Sequence, residues 1–347
     1  MRLVFIHRDG RAEHVPDADA LQRAGGYPAY ARAVIAHLLE AAPRGDLELW
    51  VTWQGSVLPP PPPGRAVLFL LGDETGQIPV HAGRFLCGFA NGSRGLGSPP
   101  RVVSLGSAWI ALLEGARMAR NLARRLRRSL ALGAAPAPPR SFYPIPLGGA
   151  GADAPSGEEE IVPFSSREWD VAFLGSVGRL RRLPVLGETP MSPKPAARLA
   201  LGRTLSRAAA TATDLRILVG CADRPEFGAP LPPDAYRRAL RNTKICLCPR
   251  GNFAETFRHA EAARAGCIVM TDRLPREWYL RDHPFVVVDD WTRVVPRARA
   301  LLADAEATAR LAQASQQWYE AACSPHAVAR FMASRIAHHA GARRDDA

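Results

Sequence analysis

Short apolar runs alternate with stretches of helical period along most of the chain. Arg2–Ile6, Leu47–Trp53, Ala66–Leu71, Arg84–Phe89 and Arg101–Leu105 read as strands. Tyr27–Leu39 repeats apolar residues near the helical spacing. Pro59–Pro63 is a run of prolines that no strand or helix accommodates. A long helix is predicted over Trp109–Leu132. Trp109, Leu113, Met118, Leu122 and Leu126 occupy one side, while Arg117, Arg120, Arg124, Arg125, Arg127 and Arg128 crowd the rest. Ala134–Gly157 is rich in Ala, Pro and Gly and reads as a linker.

The alternation then restarts. Strands are predicted at Asp170–Leu174, Asp214–Val219, Lys244–Cys248, Cys267–Thr271 and Phe285–Val288. Helices are predicted at Lys194–Ala210, Pro233–Arg241 and Ala254–Ala265, with three more starting near Thr292, Asp304 and Pro325. Strands alternating with helices imply parallel sheets with crossover helices, an α/β chain. The restart after a Pro/Gly-rich stretch divides it into two Rossmann-like lobes facing a cleft. The expected division is 1–150, then 151–315, with a C-terminal helix over 316–347 packing back on the first lobe. The length of 347 residues fits two domains, and no fixed-period repeat is present.

Composition changes this picture little. The chain carries 45 basic against 33 acidic residues, a formal charge of +12. Such a balance points to polyanions, but only Lys194 and Lys244 are lysines and the remaining basic residues are arginine. That bias, with abundant Ala, Gly and Pro, looks compositional. No nucleic-acid reader motif accompanies it. The six cysteines, Cys87, Cys221, Cys246, Cys248, Cys267 and Cys323, form no CxxC pair. They read as buried thiols rather than as disulfide or zinc ligands. The apolar stretch in MRLVFIHRDG is shorter than the roughly 7–15 residues a signal peptide requires. No run approaches the ~20 residues of a membrane span. The expected location is cytoplasmic, with peripheral contact at the inner face of the membrane through the Arg117–Arg128 helix as the alternative to a solvated basic face.

Residues 244–290 carry the chemistry. The strand Lys244–Cys248 runs into Pro249-Arg250-Gly251-Asn252, and a helix follows. In an open parallel sheet ligands bind at the carboxyl ends of strands. A helix N-terminus there offers free N–H groups to an anion. Arg250 and Arg258 lie beside it and could hold a diphosphate. Glu261 shares a helix face with Arg258, so it reads either as an acceptor for a ribose diol or as half of a surface ion pair. Gly266 fits a left-handed helix end. Asp289-Asp290 reads as a helix cap, and Gly25-Gly26 as a plain turn. His259 and His283 are left out of the site.

The same stretch resembles the C-terminal motif of exostosin-like glycosyltransferases, glycosyltransferase family 47. The matching residues are Cys248-Pro249-Arg250-Gly251, Thr256-Phe257-Arg258, Glu261-Ala262 and Gly266-Cys267-Ile268-Val269. Val269 stands where the family usually has proline. Upstream, Arg167–Gly175 and Lys194-Pro195-Ala196-Ala197-Arg198 are similar to the opening strand and arginine-bearing helix of the family's nucleotide-sugar lobe. Leu71-Gly72-Asp73-Glu74 and Pro144–Gly148 look like bacterial members.

The resemblance implies a GT-B fold, a sugar linked to uridine diphosphate as donor, and inversion at the anomeric carbon. It implies a glycan or lipid-linked glycan acceptor, and no metal or other cofactor. Arg198, Arg250, Gly251, Asn252, Thr256, Arg258 and Glu261 are then the candidate donor-binding residues. Inverting transfer needs a base for the acceptor hydroxyl. Asp73 and Glu74 end an apolar strand of the first lobe and are the candidates, with a turn carboxylate as the plain alternative. His7 and Arg8 follow the first strand and would line the same edge. Lys244 is expected exposed at the far end of its strand. The rival function is an inactive transferase-like binding module, or a surface binder using the Arg117–Arg128 helix. A dinucleotide enzyme is disfavoured, because His7-Arg8-Asp9-Gly10 stands where a GxGxxG loop is required.

Overall fold

A computed structural model describes residues 1–7, 9–25, 28–42, 46–53, 58–71, 81–91, 98–132, 141–149, 162–184 and 187–345. The chain forms two compact units. One comprises Met1–Leu96, Ala119–Asp153 and Ala322–Ala347, and the other Gly97–Met118 and Ala154–Ala321.

The first unit opens with strands β1 (Arg2–Ile6) and β2 (Ala12–Val15), then helices α1 (Ala20–Gly25) and α2 (Ala29–Ala41). Strands β3 (Glu48–Thr52), β4 (Ala66–Leu70), β5 (Cys87–Asn91) and β6 (Phe142–Ile145) complete a sheet in the order β2-β1-β3-β4-β5-β6. All neighbouring pairs are parallel except β1 with β2. The strands read as unbroken apolar runs because both faces are covered. Alternate residues Leu3, Phe5, Leu49, Val51, Val67 and Phe69 join one core, with Val34, Ile35 and Leu38 of α2. Val4, Ile6, Trp50, Leu68 and Leu70 point the other way, against Ala82 and Phe85. Truncating Phe69 to Ala would cost about 3–5 kcal/mol by the usual cavity term.

Two expectations change here. Arg101–Leu105 is not a strand: helix α3 runs over Leu105–Leu132, and Ser107 Oγ accepts from Val103 and Ser104 N–H at 2.8 and 2.9 Å just ahead of its first turn. Ala134–Gly157 is not simply a linker. Its aromatic-proline stretch forms β6, an edge strand, where Pro144 interrupts no inner ladder.

In the second unit β7 (Trp169–Gly175) is followed by a short antiparallel hairpin, β8 (Arg181–Leu183) and β9 (Gly187–Thr189). Then come α4 (Pro193–Thr211), β10 (Ile217–Cys221), α5 (Pro233–Arg241), β11 (Thr243–Cys248), α6 (Phe257–Arg264), β12 (Ile268–Thr271) and β13 (Val286–Val287). Helices α7 (Val294–Leu302) and α8 (Ala305–Trp318) follow. The sheet is wholly parallel, in the order β10-β7-β11-β12-β13. Val171, Phe173, Ile245, Leu247, Ile268 and Met270 pack against Ala197, Leu201 and Leu205 of α4 and Val294 and Ala298 of α7.

The last helix, α9 (Pro325–Asp345), returns to the first unit. Its Val328, Met332 and Ile336 join the core of α2. Just before it, the Cys323 carbonyl accepts from Tyr30 Oη at 2.7 Å. Gly148 sits at φ +67°, with its missing Cβ position 2.1–2.3 Å from the Tyr30 ring, so only glycine fits there. The expected boundaries at 150 and 316 therefore shift in two places. Residues 97–118 belong to the second unit, and the return to the first begins at Ala322.

Candidate functional site

The order of the second sheet locates its binding edge. Numbered within the unit and omitting the hairpin, the strands run 2-1-3-4-5, so the direction of winding reverses between β7 and β11. A crevice opens at the carboxyl ends of strands where that reversal occurs. At this point lie Gly175-Ser176 at the end of β7, Pro249–Asn252 after β11, and the start of α6.

Three arginines converge there, and their surroundings set them apart. Arg198 on α4 is buried. Its Nε donates to the Arg250 carbonyl at 2.9 Å, its Nη1 to the Ser176 carbonyl at 2.7 Å and its Nη2 to the Pro249 carbonyl at 3.2 Å. It ties the loops after β7 and β11 together. Burial, with Arg258 nearby, lowers its guanidinium to about 10.

Arg250 is 1% exposed and faces inward. Its backbone N–H donates to Asp272 Oδ2 at 2.6 Å, and its Nη2 to the Ser98 carbonyl at 2.6 Å. Its Nη1 lies 3.5 Å from Glu114 Oε2, and its Nε 3.9 Å from Asp272 Oδ1. Glu114, buried on α3, is held in turn by Arg117 at 2.6 and 2.9 Å. Among the described residues neither Nε nor Nη1 of Arg250 makes a hydrogen bond, so beyond the Nη2 bond its charge is met by two buried carboxylates.

Arg258, in the first turn of α6, is different. It is half-buried, and its only hydrogen bond among the described residues is from Nε to Tyr236 Oη, at 3.2 Å. Its Nη1 comes within 2.7 Å of where a Cβ on Gly175 would stand. Tyr236 Oη in turn donates to Glu261 Oε2. Glu261, buried one turn further along α6, therefore faces the Tyr236 hydroxyl. Burial raises the Tyr236 phenol, so it stays protonated and able to donate.

The helix start is built with care. Thr256 is the N-cap, and its N–H donates to His259 Nδ1 at 3.0 Å. A backbone N–H can only donate, so Nδ1 carries the lone pair and Nε2–H donates to Thr271 Oγ1 at 2.6 Å. Burial lowers the imidazole to about 3, consistent with this neutral tautomer. His259 holds the cap in the place a Glu or Gln usually takes. Gly251 N–H donates to the Phe253 carbonyl at 2.7 Å, and a Cβ on Gly251 would stand 3.1 Å from Thr256 Cγ2. Asn252 is exposed beside it. Across the crevice, Asp223 accepts from Val177 and Gly178 N–H at 2.8 and 2.6 Å, fixing the loop after β7. Burial alone would raise its carboxyl, but those two donors hold it below the usual range.

Arg198, Arg250, Gly251, Thr256, Arg258 and Glu261 thus share one strand–helix corner, with Asn252 at its rim. Asp73, Glu74, Arg8 and Gly26 lie outside the described residues. His7 bonds Glu13 at 2.6 Å. Lys244 lies at the far end of β11 as expected, but it is half-buried and bonds Asp170 at 2.8 Å instead of standing exposed. Asp290 caps the turn at Trp291–Arg293 through Thr292 N–H, and Gly266 is left-handed at φ +69°. Tyr236, Asp272, Asp223, Glu114 and Ser98 are additions. Asp272 had a signal: it directly follows the largely apolar run Cys267–Thr271 in the sequence.

Residues 198–334 match the family model described as Glycosyl transferase-like. No curated protein matches the chain. Among solved structures, the chain is similar to sucrose-phosphate synthase (tll1590) from Thermosynechococcus elongatus at 15% identity and TM-score 0.44, over 90% of this chain and 78% of that one. It is also similar to the GtfA/B complex (12%, TM-score 0.40, 79% of this chain and 58% of that one). TarM aligns at 7% identity and TM-score 0.41, over 80% of this chain and 55% of that one. The chain therefore spans little more than half the length of two of these.

Proposed function

We propose that the protein is a GT-B-type glycosyltransferase whose second unit holds a nucleotide diphosphate sugar at the β7/β11 corner. The observation that carries this is Arg258. Within the stretch matching the glycosyltransferase-like family, it is a half-buried cation at the sheet's winding reversal. Its terminal nitrogens have no acceptor among the described residues. A diphosphate supplies the missing acceptors, and the first N–H groups of α6 add to the same field.

Arg198 and Arg250 act behind it. They position the loops and are engaged by protein groups, so Arg258 is the residue that meets the leaving diphosphate. Gly251 and Thr256 shape the approach, Asn252 lines the rim, and Glu261 with Tyr236 orients Arg258 or accepts from the ribose diol. In this reading cationic side chains stabilise the leaving group and no metal or other cofactor is required. Transfer is inverting, with a UDP sugar as donor and a hydroxyl of a glycan or lipid-linked glycan as acceptor. Asp73 or Glu74 is the base. Support for these finer points, and for an exostosin-like member, is the motif spacing of residues 248–269. The same reading puts the enzyme in the cytoplasm, making surface polysaccharide or glycoconjugate.

A thermal-shift screen with nucleoside diphosphates and their sugars tests the core of this. A ligand at about 100 times its Kd stabilises the folded state by about 2.7 kcal/mol, which moves Tm by roughly 5–10 °C for units of this size. The shift is expected with a UDP sugar and absent in Arg258→Ala. If no nucleotide or nucleotide sugar moves Tm, the protein is an inactive binding module and the proposal fails. Activity that survives EDTA supports the metal-free assignment, and the anomeric configuration of the product checks inversion.

A further inference from the structure

We infer that α3 is a membrane-docking helix that lays an apolar stripe, flanked by arginines, on an anionic lipid surface. The stripe is written in the spacing of its residues. Leu105, Trp109, Leu112, Ala116, Ala119, Ala123, Leu126 and Leu130 follow one another at alternating steps of four and three, which places them on one face of the helix. All eight are exposed: Leu105 is 93%, Leu112 61% and Leu130 85% accessible. Val102 and Val103, just before the helix, are exposed as well. The core is met by a different face, with Ser107, Ile110, Leu113 and Glu114 buried. Of the apolar side read from the sequence, Leu113 is buried, whereas Trp109, Leu122 and Leu126 face out. Exposed apolar surface of this extent marks an interaction site.

Charge decides between the occupants. The helix carries six arginines and a single acidic residue. That acid, Glu114, is buried and already held by Arg117 and Arg250. Arg120, Arg124 and Arg127 are exposed along one flank of the stripe. A second copy of α3 would bring arginines against arginines with no carboxylate to answer them, as flanking positions of a paired-helix seam must. A nucleic acid would satisfy the arginines but leave the leucines and Trp109 wet. An anionic bilayer satisfies both, with the leucines at the acyl boundary, Trp109 at the headgroup level and the arginines among the headgroups. Among the described residues no helix is long and apolar enough to cross a membrane, so α3 lies on the surface rather than spanning it.

Co-sedimentation of the full chain with vesicles tests this. Zwitterionic phosphatidylcholine vesicles are compared with the same vesicles containing about 30% phosphatidylglycerol. Binding is expected only to the anionic vesicles, and is expected to fall in high salt. Reversing Arg120, Arg124 and Arg127 to Glu should lower partitioning by about 100-fold or more. Leu112→Glu and Leu126→Glu should each abolish it at unchanged Tm, since both side chains are exposed. The triple charge reversal binding like the wild type, or a wild type that ignores anionic vesicles, overturns the inference. So does a stable dimer in light scattering that Leu112→Glu dissolves, or RNA binding that Leu126→Glu leaves intact. None of these readouts depends on sugar transfer, so the inference can fail while the proposed activity stands.

Discussion

The sharpest test of the proposed donor site is a substitution that adds one methyl group and removes nothing. A Cβ placed on Gly175 would stand 2.7 Å from Arg258 Nη1, 3.5 Å from its Cζ and 3.6 Å from Arg198 Nη1. An ordinary non-bonded contact needs about 3.5 Å, so in Gly175→Ala the Arg258 guanidinium must withdraw by roughly 0.8 Å. Gly175 is not in the left-handed region, so alanine takes its backbone conformation without strain. The atom displaced is the far end of a flexible side chain. Stability should therefore hold within about 1 kcal/mol. Binding should not. Productive geometry tolerates about 0.5 Å, and each hydrogen bond to a charged group contributes about 1.5–3 kcal/mol. Losing one weakens UDP binding by roughly 10- to 100-fold. Titration calorimetry on the wild type, Gly175→Ala, Arg258→Ala and the double variant measures this. If Gly175 acts through Arg258, adding Gly175→Ala to Arg258→Ala costs nothing further. Wild-type affinity in Gly175→Ala, or fully additive losses in the double variant, would refute the placement of the diphosphate.

Other outcomes follow from the same geometry. Arg198→Met leaves three loop carbonyls without their donor, and at about 1–3 kcal/mol per unsatisfied buried group the second unit should lose several degrees of Tm even without ligand; an unchanged melt would contradict the positioning role. His259 binds its proton at about 3 in the folded chain against the ordinary 6.5. Between those values the unfolded chain holds the proton and the folded chain does not, so His259 makes stability rise with pH there and contributes fully only above 6.5. Urea melts from pH 4 to 7 should show a shallower dependence in His259→Gln, by up to about 1.4 kcal/mol per pH unit, and equal slopes would show that His259 is not the titrating group. Asp73→Asn and Glu74→Gln, measured separately in single-turnover transfer, should reveal the base as a rate loss of about 10²-fold or more in one of them; full rates in both remove these carboxylates from the chemistry.

The periodicity of the chain made the architecture legible because both sheets are parallel and covered on two faces. Unbroken apolar runs such as Ala66–Leu70 and Ile268–Thr271 have few other uses in a chain this size. Pro233–Arg241 could be read to the residue, since Pro232-Pro233 fixes its start. The strand β6 was hidden because an edge strand tolerates the prolines that otherwise signal a linker. At the site, spacing alone brought Arg250, Arg258 and Glu261 to one corner, because they are neighbours along a strand–loop–helix unit, and the motif resemblance added Thr256. It could not rank them. Whether an arginine serves a ligand or the protein depends on acceptors from remote segments: Ser98 and Glu114 for Arg250, Ser176 for Arg198.

The same limit explains α3. Its sequence contains two apolar faces about 100° apart, Ile110 with Leu113 and the stripe from Leu105 to Leu130. No helical pattern says which is buried. What decides is Glu114, whose carboxyl group lies beside the first face. Burying that face requires cations waiting there, and Arg117 and Arg250 provide them. Burying the other face would leave Glu114 in water and take from Arg250, which is 1% exposed, one of the two carboxylates that meet its charge. The ion cluster behind the β7/β11 corner therefore also fixes the roll of α3, and with it the orientation of the stripe toward solvent. Arg250→Met alone should take away one of the two cations that face Glu114 and loosen this packing. Arg250→Met with Glu114→Gln should restore much of the lost stability, and the restored variant should again sediment with anionic vesicles. Rescue of Tm without rescue of vesicle binding would break the link between the cluster and the orientation of the helix.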